Sequence, residues 1–210
     1  MAEQVAKLKK KQWYQITAPK QFNEVVIGET LVYDPQAMIG KTIMHSLMNL
    51  INDTKKQNIS IHFKIVGVDS DKGRTCITGY QLTPYSIKRF VRRSSEKIDL
   101  SFNCDTADDF FLRVKPLLIT KADVKGSVAA KLRSNAVNFL TKTIKKAKYE
   151  EVLNDLISHK LQTSMKEALT KIYPLKICEI RYLGIEEREK PLEVKVDQEV
   201  QEVKIEVKEE

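Results

Sequence analysis

Cysteine is scarce in this chain: three in 210 residues, Cys76, Cys104 and Cys178, odd in number, far apart and each inside an apolar strand-like run. That excludes a disulfide framework and predicts three small buried thiols in a reducing compartment. Histidine is equally rare. His45, His62 and His159 share no metal-ligand spacing with one another or with any cysteine, so each is expected at the surface or as a satisfied core residue, and no metal site is expected. The glycines build no phosphate loop: Gly40-Lys41-Thr42 looks like the end of one, but Pro35 stands where the first glycine belongs. Asp69, Asp71 and Gly73 fall short of a calcium loop, because Arg74 and Tyr80 occupy the positions that need a Gly and a bidentate Glu. No apolar run approaches the ~20 residues of a membrane span, and no apolar run with a small-residue cleavage site follows the lysine-rich N-terminus. The expectation is a cytoplasmic protein that makes no membrane contact.

Negative charge is also in short supply over most of the chain. Residues 1–185 hold 31 Lys/Arg against 18 Asp/Glu, whereas residues 186–210 hold 5 against 10. A surplus of 13 cations on roughly one domain's worth of residues repels itself, and the simplest relief is an anionic partner; a nucleic-acid backbone is the expected one. The length suffices for one large or two small domains with an unaided core.

Four regions follow from the patterning. Residues 1–11, with Lys7, Lys9, Lys10 and Lys11, read as a basic arm that orders on binding. Residues 12–120 read mainly as strands and form the predicted β-rich RNA-binding region. Ile59, Ile61, Phe63 and Ile65 alternate with Ser60, His62 and Lys64, and the turn at 69–73 leads to a partner strand at Thr75–Leu82. A second hairpin is expected from Ile98, Leu100 and Phe102 to Phe110, Leu112 and Val114, around Asp105–Asp109. Ala37–Ile51 fits either a helix or a strand. Residues 121–185 switch to helical spacing: Val128, Leu132, Ala136, Phe139, Leu140 and Ile144 share one face. A second helix is expected over Tyr149–Leu161, and a third from Ser164, with Glu167 completing a capping box and Ala168, Leu169 and Ile172 turned inward. Pro174 ends it, and Leu175–Leu183 reads as a closing strand. Strands followed by helices mean α+β. Residues 186–210 read as an acidic, mostly disordered tail, with an edge strand as the other possibility.

The strongest candidate site is Thr83–Arg93. Thr83 caps, Pro84 takes the first helical position, and Ile87, Phe90 and Val91 form the inward stripe. Lys88, Arg89, Arg92 and Arg93 then share the outer face, where repulsion is relieved if phosphates lie against it. A second basic set is Lys121, Lys125, Lys131, Lys142, Lys145, Lys146 and Lys148, with intervening asparagines suited to sugar or phosphate oxygens. Arg133 lies off that face, with pairing inside the fold as its expected role. Trp13 and Tyr14 suit base stacking, but an aromatic pair that opens a strand is expected in the core. Asp105, Asp108 and Asp109 would have to carry any Mg²⁺-dependent nuclease activity; a polar turn between strands accounts for them without a metal.

The ordered pieces Lys11-x-Trp13-Tyr14, Ala18-Pro19, Phe22, Ile27-Gly28-x-Thr30, Phe63-Lys64, Val66, Cys76-x-Thr78, Leu82-Thr83, Val91-Arg92-Arg93, Leu112-Arg113, Ile119-Thr120-Lys121 and Ile172-Tyr173-Pro174-Leu175 are specific together. In their order and spacing the chain resembles the archaeal and eukaryotic small-subunit ribosomal protein family es-one (S-three-A-e). The resemblance implies a barrel-like, mainly antiparallel sheet flanked by helices. It also implies a non-enzymatic, ribosome-bound role on the platform near the messenger exit, with small-subunit ribosomal RNA and neighbouring small-subunit proteins as partners. Neither a cofactor nor a small-molecule substrate is implied. The RNA contacts it implies fall on Trp13 with the lysine arm, on Lys88–Arg93, and on Lys121–Lys131. One departure is Gly126-Ser127-Val128-Ala129-Ala130, where family members often carry a denser Arg/Lys run. The competing readings are a non-ribosomal RNA-binding regulator or chaperone, and the nuclease.

Overall fold

The computed structural model describes residues 10–69 and 72–186. The predicted arm residues Lys7 and Lys9, and the tail from 187 onward, lie outside the described residues. Nine strands and five helices are formed among the described residues: β1 Gln12–Thr17, β2 Val26–Val32, β3 Thr42–Ser46, α1 Leu47–Ile51, β4 Ile59–Asp69, β5 Lys72–Leu82, α2 Pro84–Phe90, β6 Lys97–Asp99, β7 Phe102–Asp105, β8 Phe111–Thr120, α3 Gly126–Ile144, α4 Tyr149–Ile157, α5 Lys160–Thr170 and β9 Leu175–Ile185. The α+β expectation holds, and so does the late strand.

The alternation at Ile59–Ile65 sends Ile59, Ile61, Phe63 and Ile65 inward, so a period of two fixes the register of the β4–β5 hairpin, from Ile59↔Leu82 to Asp69↔Lys72. All strand pairs are antiparallel except β1 with β5, which run parallel over Gln15–Thr17 and Lys72–Arg74. The sheet branches: β5 bonds β1, β4 and β9, while β8 bonds β9, β7 and β6. Among the described residues no ladder closes the ends, so the barrel-like expectation narrows to one open, antiparallel-dominated sheet. At the β5–β9 junction Gly79 faces Gly184. A Cβ on Gly79 would come within 3.0 Å of the Leu183 carbonyl, so the two strands approach closely only because that side chain is missing.

The second hairpin forms as β7–β8, and β6 adds to the same strand, because the chain breaks at Leu100–Ser101. Ala37–Ile51 becomes both alternatives in turn: a 3-10 turn at Pro35–Met38, then β3, then α1. In α3, Leu132, Ala136, Leu140 and Ile144 are fully buried as their spacing requires, and Val128 and Phe139 pack beside them.

The helices after α3 depart from expectation. The second helix stops at Ile157, and α5 begins at Lys160 after His159, which holds φ 60°. That left-handed residue breaks the continuous helix expected to Leu161. Ser164 and Glu167 are therefore exposed residues inside a helix rather than its cap. Leu169 is buried, but Ile172 lies past the helix end and is exposed.

The cysteine expectation also needs correction. Cys104 and Cys178 are buried, and burial pushes their thiols up to about 11 and about 12 respectively, each with a neighbouring carboxylate adding to the effect. Cys76 is exposed. Thr75 and Ile77 take the inward positions of β5, and alternation leaves Cys76 on the other face.

Two clusters make the core. The larger joins β4, β5, β8 and β9 to α3, α4 and α5, drawing on both the predicted β-rich and the predicted helical regions. The smaller consists of Tyr14, Ile16, Val32, Met38 and Ile65.

Candidate nucleic-acid interface

Thr83 and Pro84 do begin α2, as their residue types predict. The Thr83 hydroxyl meets the Ser86 hydroxyl at 2.9 Å instead of a backbone amide. The helix ends earlier than expected. Val91 is already extended, with ψ 127°, and the Ser95 amide and hydroxyl both donate to the Arg92 carbonyl, forming a turn. Arg92 and Arg93 thus sit beyond the helix, and Val91 is exposed rather than part of an inward stripe. Lys88 and Arg89 occupy the last turn of α2, where cations suit the carbonyl end of a helix. All four cations are exposed. Among the described residues none of them pairs with a carboxylate, since the ion pairs join Arg74 to Asp69, Lys97 to Asp99 and Arg113 to Glu186, and Glu179 has the His159 ring beside it at 3.8 Å.

The sheet then brings the two basic sets together at one point. The turn carrying Arg92 and Arg93 runs into Glu96, whose amide donates to Thr120 Oγ1 at 3.1 Å while its carbonyl accepts from the Thr120 amide at 3.1 Å. Lys121 follows immediately, with its own amide bonded to the Pro174 carbonyl. Arg92, Arg93 and Lys121 therefore leave the same end of the β6–β8 ladder, and Lys125 stands at the entry to α3. Lys131, Lys142 and Lys145 are exposed along α3 and just past it. At 1.5 Å per residue the span from Lys131 to Lys145 is about 20 Å, so Lys142 and Lys145 form a separate group at the far end of the helix. Arg133 is exposed and has no carboxylate partner among the described residues, contrary to the pairing expected for it. Asn135 is spent locally, its side-chain amide donating to the Lys131 carbonyl at 2.8 Å.

At the other edge of the sheet Trp13 is 67% exposed, where a core position was expected. The reason is again alternation: Tyr14 and Ile16 take the inner face, leaving Trp13 outside opposite Leu31. Lys10 and Lys11 are exposed, and the Lys11 ammonium lies 5.2 Å from the centroid of the Tyr33 ring. Tyr33 stands outside the sequence motifs, as does Tyr85, which is exposed beneath the Arg89 guanidinium at 5.5 Å. Tyr33 was detectable, because it stands one step beyond the Gln12↔Val32 pair and so opposite Lys11.

The aspartates invoked for a nuclease have structural positions. Asp108 Oδ2 accepts from the Tyr149 amide at the start of α4, and Asp109 holds a turn with φ 60°. No group of three His, Cys, Asp or Glu residues able to hold a metal occurs among the described residues. No helix among them is long and apolar enough to cross a membrane.

An open mixed sheet backed by helices, with exposed cations that meet no carboxylate among the described residues where strands and helices join, defines a basic α+β protein. The chain belongs to the Ribosomal S3Ae family, whose profile matches residues 2–188. It is 32% identical to the small ribosomal subunit protein eS1 of Sulfurisphaera tokodaii over 83% of this chain and 90% of that protein. It is 31% identical to the eS1 protein of Halorubrum lacusprofundi, over 90% of this chain and 87% of that one.

Proposed function

We propose that the protein is a structural, non-catalytic constituent of the small ribosomal subunit. It binds ribosomal RNA on the platform near the messenger exit and sits against neighbouring small-subunit proteins in the cytoplasm. Family membership and the names of its relatives support the ribosomal assignment. The observation that carries RNA binding is the set of exposed cations at Lys88, Arg89, Arg92, Arg93 and Lys121, none matched by an acid among the described residues. Lys7, Lys9, Lys10 and Lys11 of the N-terminal arm, with Trp13, make a second contact, and Lys125, Lys131, Lys142 and Lys145 a third. In this reading residues 12–120 hold the principal RNA surface, residues 121–185 buttress it and add the lysines from Lys121 onward, and the acidic tail limits non-specific RNA binding before assembly.

The contacts are mainly to phosphates, so salt dependence is the direct test. Each neutralised phosphate contributes about 0.7 to 0.9 to the slope of log affinity against log salt. Replacing Lys88, Arg89, Arg92 and Arg93 with Ala is expected to flatten the slope for a ribosomal RNA fragment by roughly 2 to 4 units. An unchanged slope removes this segment from the interface. Sedimentation of a native extract tests the assembly: stoichiometric travel with small subunits through moderate salt is expected. Recovery only in light fractions would favour a regulator or chaperone that works off the ribosome.

A further inference from the structure

Between α5 and β9 lies a crevice of about 280 Å³, lined by His159, Gln162, Lys166, Lys176, Cys178 and Glu179 among others. Its chemistry is lopsided in the opposite sense from the outer surface. Gln162 is only 3% exposed; its amide nitrogen donates to the Leu156 carbonyl at 3.0 Å, while its Oε1 is buried without a donor. Glu179 Oε2 is likewise buried without a donor. His159 Nδ1 stands 3.8 Å away, beyond hydrogen-bond range, and the Tyr80 hydroxyl, whose pKa burial and the Glu179 charge raise, is likewise without a partner. Burial, helped by Lys56, lowers the His159 pKa, so the ring adds no positive charge; burial also pushes the Glu179 carboxyl up to about 7 against the opposing Lys166, and above that pH it is a pure acceptor. The Lys166 ammonium is engaged at the rim, donating to the Lys176 carbonyl at 3.4 Å. Each buried acceptor left bare costs about 1 to 3 kcal/mol, so two in one crevice call for a ligand that brings donors.

The ligand class follows by matching groups. A free phosphate fits badly against Glu179, and the metal alternative lacks a third ligand among the described residues. A guanidinium would be a third cation beside Lys166 and Lys176. A nucleotide reconciles a donor-hungry interior with a cationic rim, because its base carries N–H groups and its phosphate carries negative charge. Among the four bases only guanine presents two adjacent donors, N1–H and N2–H₂, on its Watson–Crick edge. Adenine and cytosine pair one amino group with an acceptor, and uracil places one N–H between two carbonyls. The volume lies at the lower limit for ligand pockets, suited to one base, and His159 supplies an aromatic ring for stacking.

We propose that this crevice binds a single unpaired guanine of RNA, its N1–H and N2–H₂ donating to Glu179 and Gln162 Oε1 while Lys166 and Lys176 face its phosphate. The inference rests on the RNA-binding reading and adds to it one base-specific contact on a surface otherwise read as sequence-blind.

Calorimetric titration of the full chain at low salt with GMP, IMP, AMP, CMP and UMP tests it. GMP is expected to bind about tenfold tighter than AMP, the discrimination typical of one bidentate pair. IMP, which lacks the N2 amino group, is expected to lose most of that preference. Glu179→Gln should erase the preference, and Lys166→Ala should weaken all five nucleotides alike. Should Glu179→Gln fail to fold, the GMP and IMP comparison on the native sequence still decides the matter. Equal affinity for GMP and AMP, or no nucleotide binding, overturns the proposal. Binding of arginine amide in place of GMP also overturns it and gives the crevice to a protein side chain. The outcomes are separable from the function itself: a chain without guanine preference that keeps its salt-dependent affinity for ribosomal RNA loses only this pocket.

Discussion

The two hydrophobic clusters share a sheet but not a covering. Over the larger one, α3, α4 and α5 lay Leu132, Leu140, Leu156 and Met165 against strands that carry Leu112, Leu117, Leu118 and Ile180, all fully buried. Among the described residues the smaller one has only the Pro35–Met38 turn and the strands themselves over Tyr14, Ile16, Val32, Met38 and Ile65, and none of the five helices contributes a buried residue to it. Local stability follows the number of buried apolar contacts, so the β1–β2 end opens more readily than the β8–β9 end. The weaker end is also the one that displays Trp13, Tyr33 and Lys11. The edge proposed to meet RNA is thereby mounted on a helix-braced half.

The largest effect that bears on this contrast is a cavity in the braced half. Leu118→Ala is expected to lower unfolding free energy by about 3 to 5 kcal/mol, and Ile16→Ala by about 2 to 3, because a thinly covered site collapses more easily onto a void. Denaturant midpoints at constant m-value measure both. Equal losses would mean that the two clusters are held with the same rigidity.

Next comes a defect within the braced half itself. Burial pushes the Glu179 carboxyl up to about 7, with Lys166 opposing, whereas the unfolded chain titrates it near 4.5. Between those values the folded state holds a proton that the unfolded state has released, so its contribution is complete below about pH 4.5. It falls as pH rises, and is gone above about 7. Glu179→Gln is expected to remove this dependence and to stabilise the chain at pH 8 by up to about 2 kcal/mol. Parallel pH–stability curves for the variant and native chains would show that the carboxyl is solvated after all.

How much of this could be read from residues alone differed by element. The β4–β5 hairpin and the inner face of α3 were legible, because strict periods of 2 and 3.6 leave one self-consistent assignment for Ile59–Ile65 and for Leu132–Ile144. Helix ends were not. Ser164 and Glu167 have capping-box spacing but lie inside α5, and the real break at His159 carries no glycine or proline to mark it. Ala37–Ile51 resisted assignment because it is strand and helix in succession. Within the candidate site the cations were legible as types. Their meeting was not: only the Glu96–Thr120 hydrogen bonds place the Arg92–Arg93 turn beside Lys121. The acceptor-rich crevice needed tertiary structure too, because Gln162 and Glu179 reach it from different elements.

The smallest stability change should come from an aromatic that lies mostly outside the core. Trp13 and Tyr14 are neighbours of similar chemistry, yet one is 67% exposed and the other 5%. Trp13→Ala truncates an exposed ring that stands across the ladder from half-exposed Leu31 and is expected to shift stability by less than about 1 kcal/mol. If Trp13 stacks on a base, the same change costs about 1 to 3 kcal/mol of RNA affinity, roughly tenfold in the dissociation constant. Tyr14→Ala should do the reverse, unfolding the smaller cluster by about 3 kcal/mol while leaving the affinity of the folded fraction for RNA unchanged. Chemical denaturation and titration of a ribosomal RNA fragment, run on both variants, separate the two residues. A Trp13→Ala chain that loses stability but keeps full RNA affinity would make this ring a structural group and move the binding edge elsewhere.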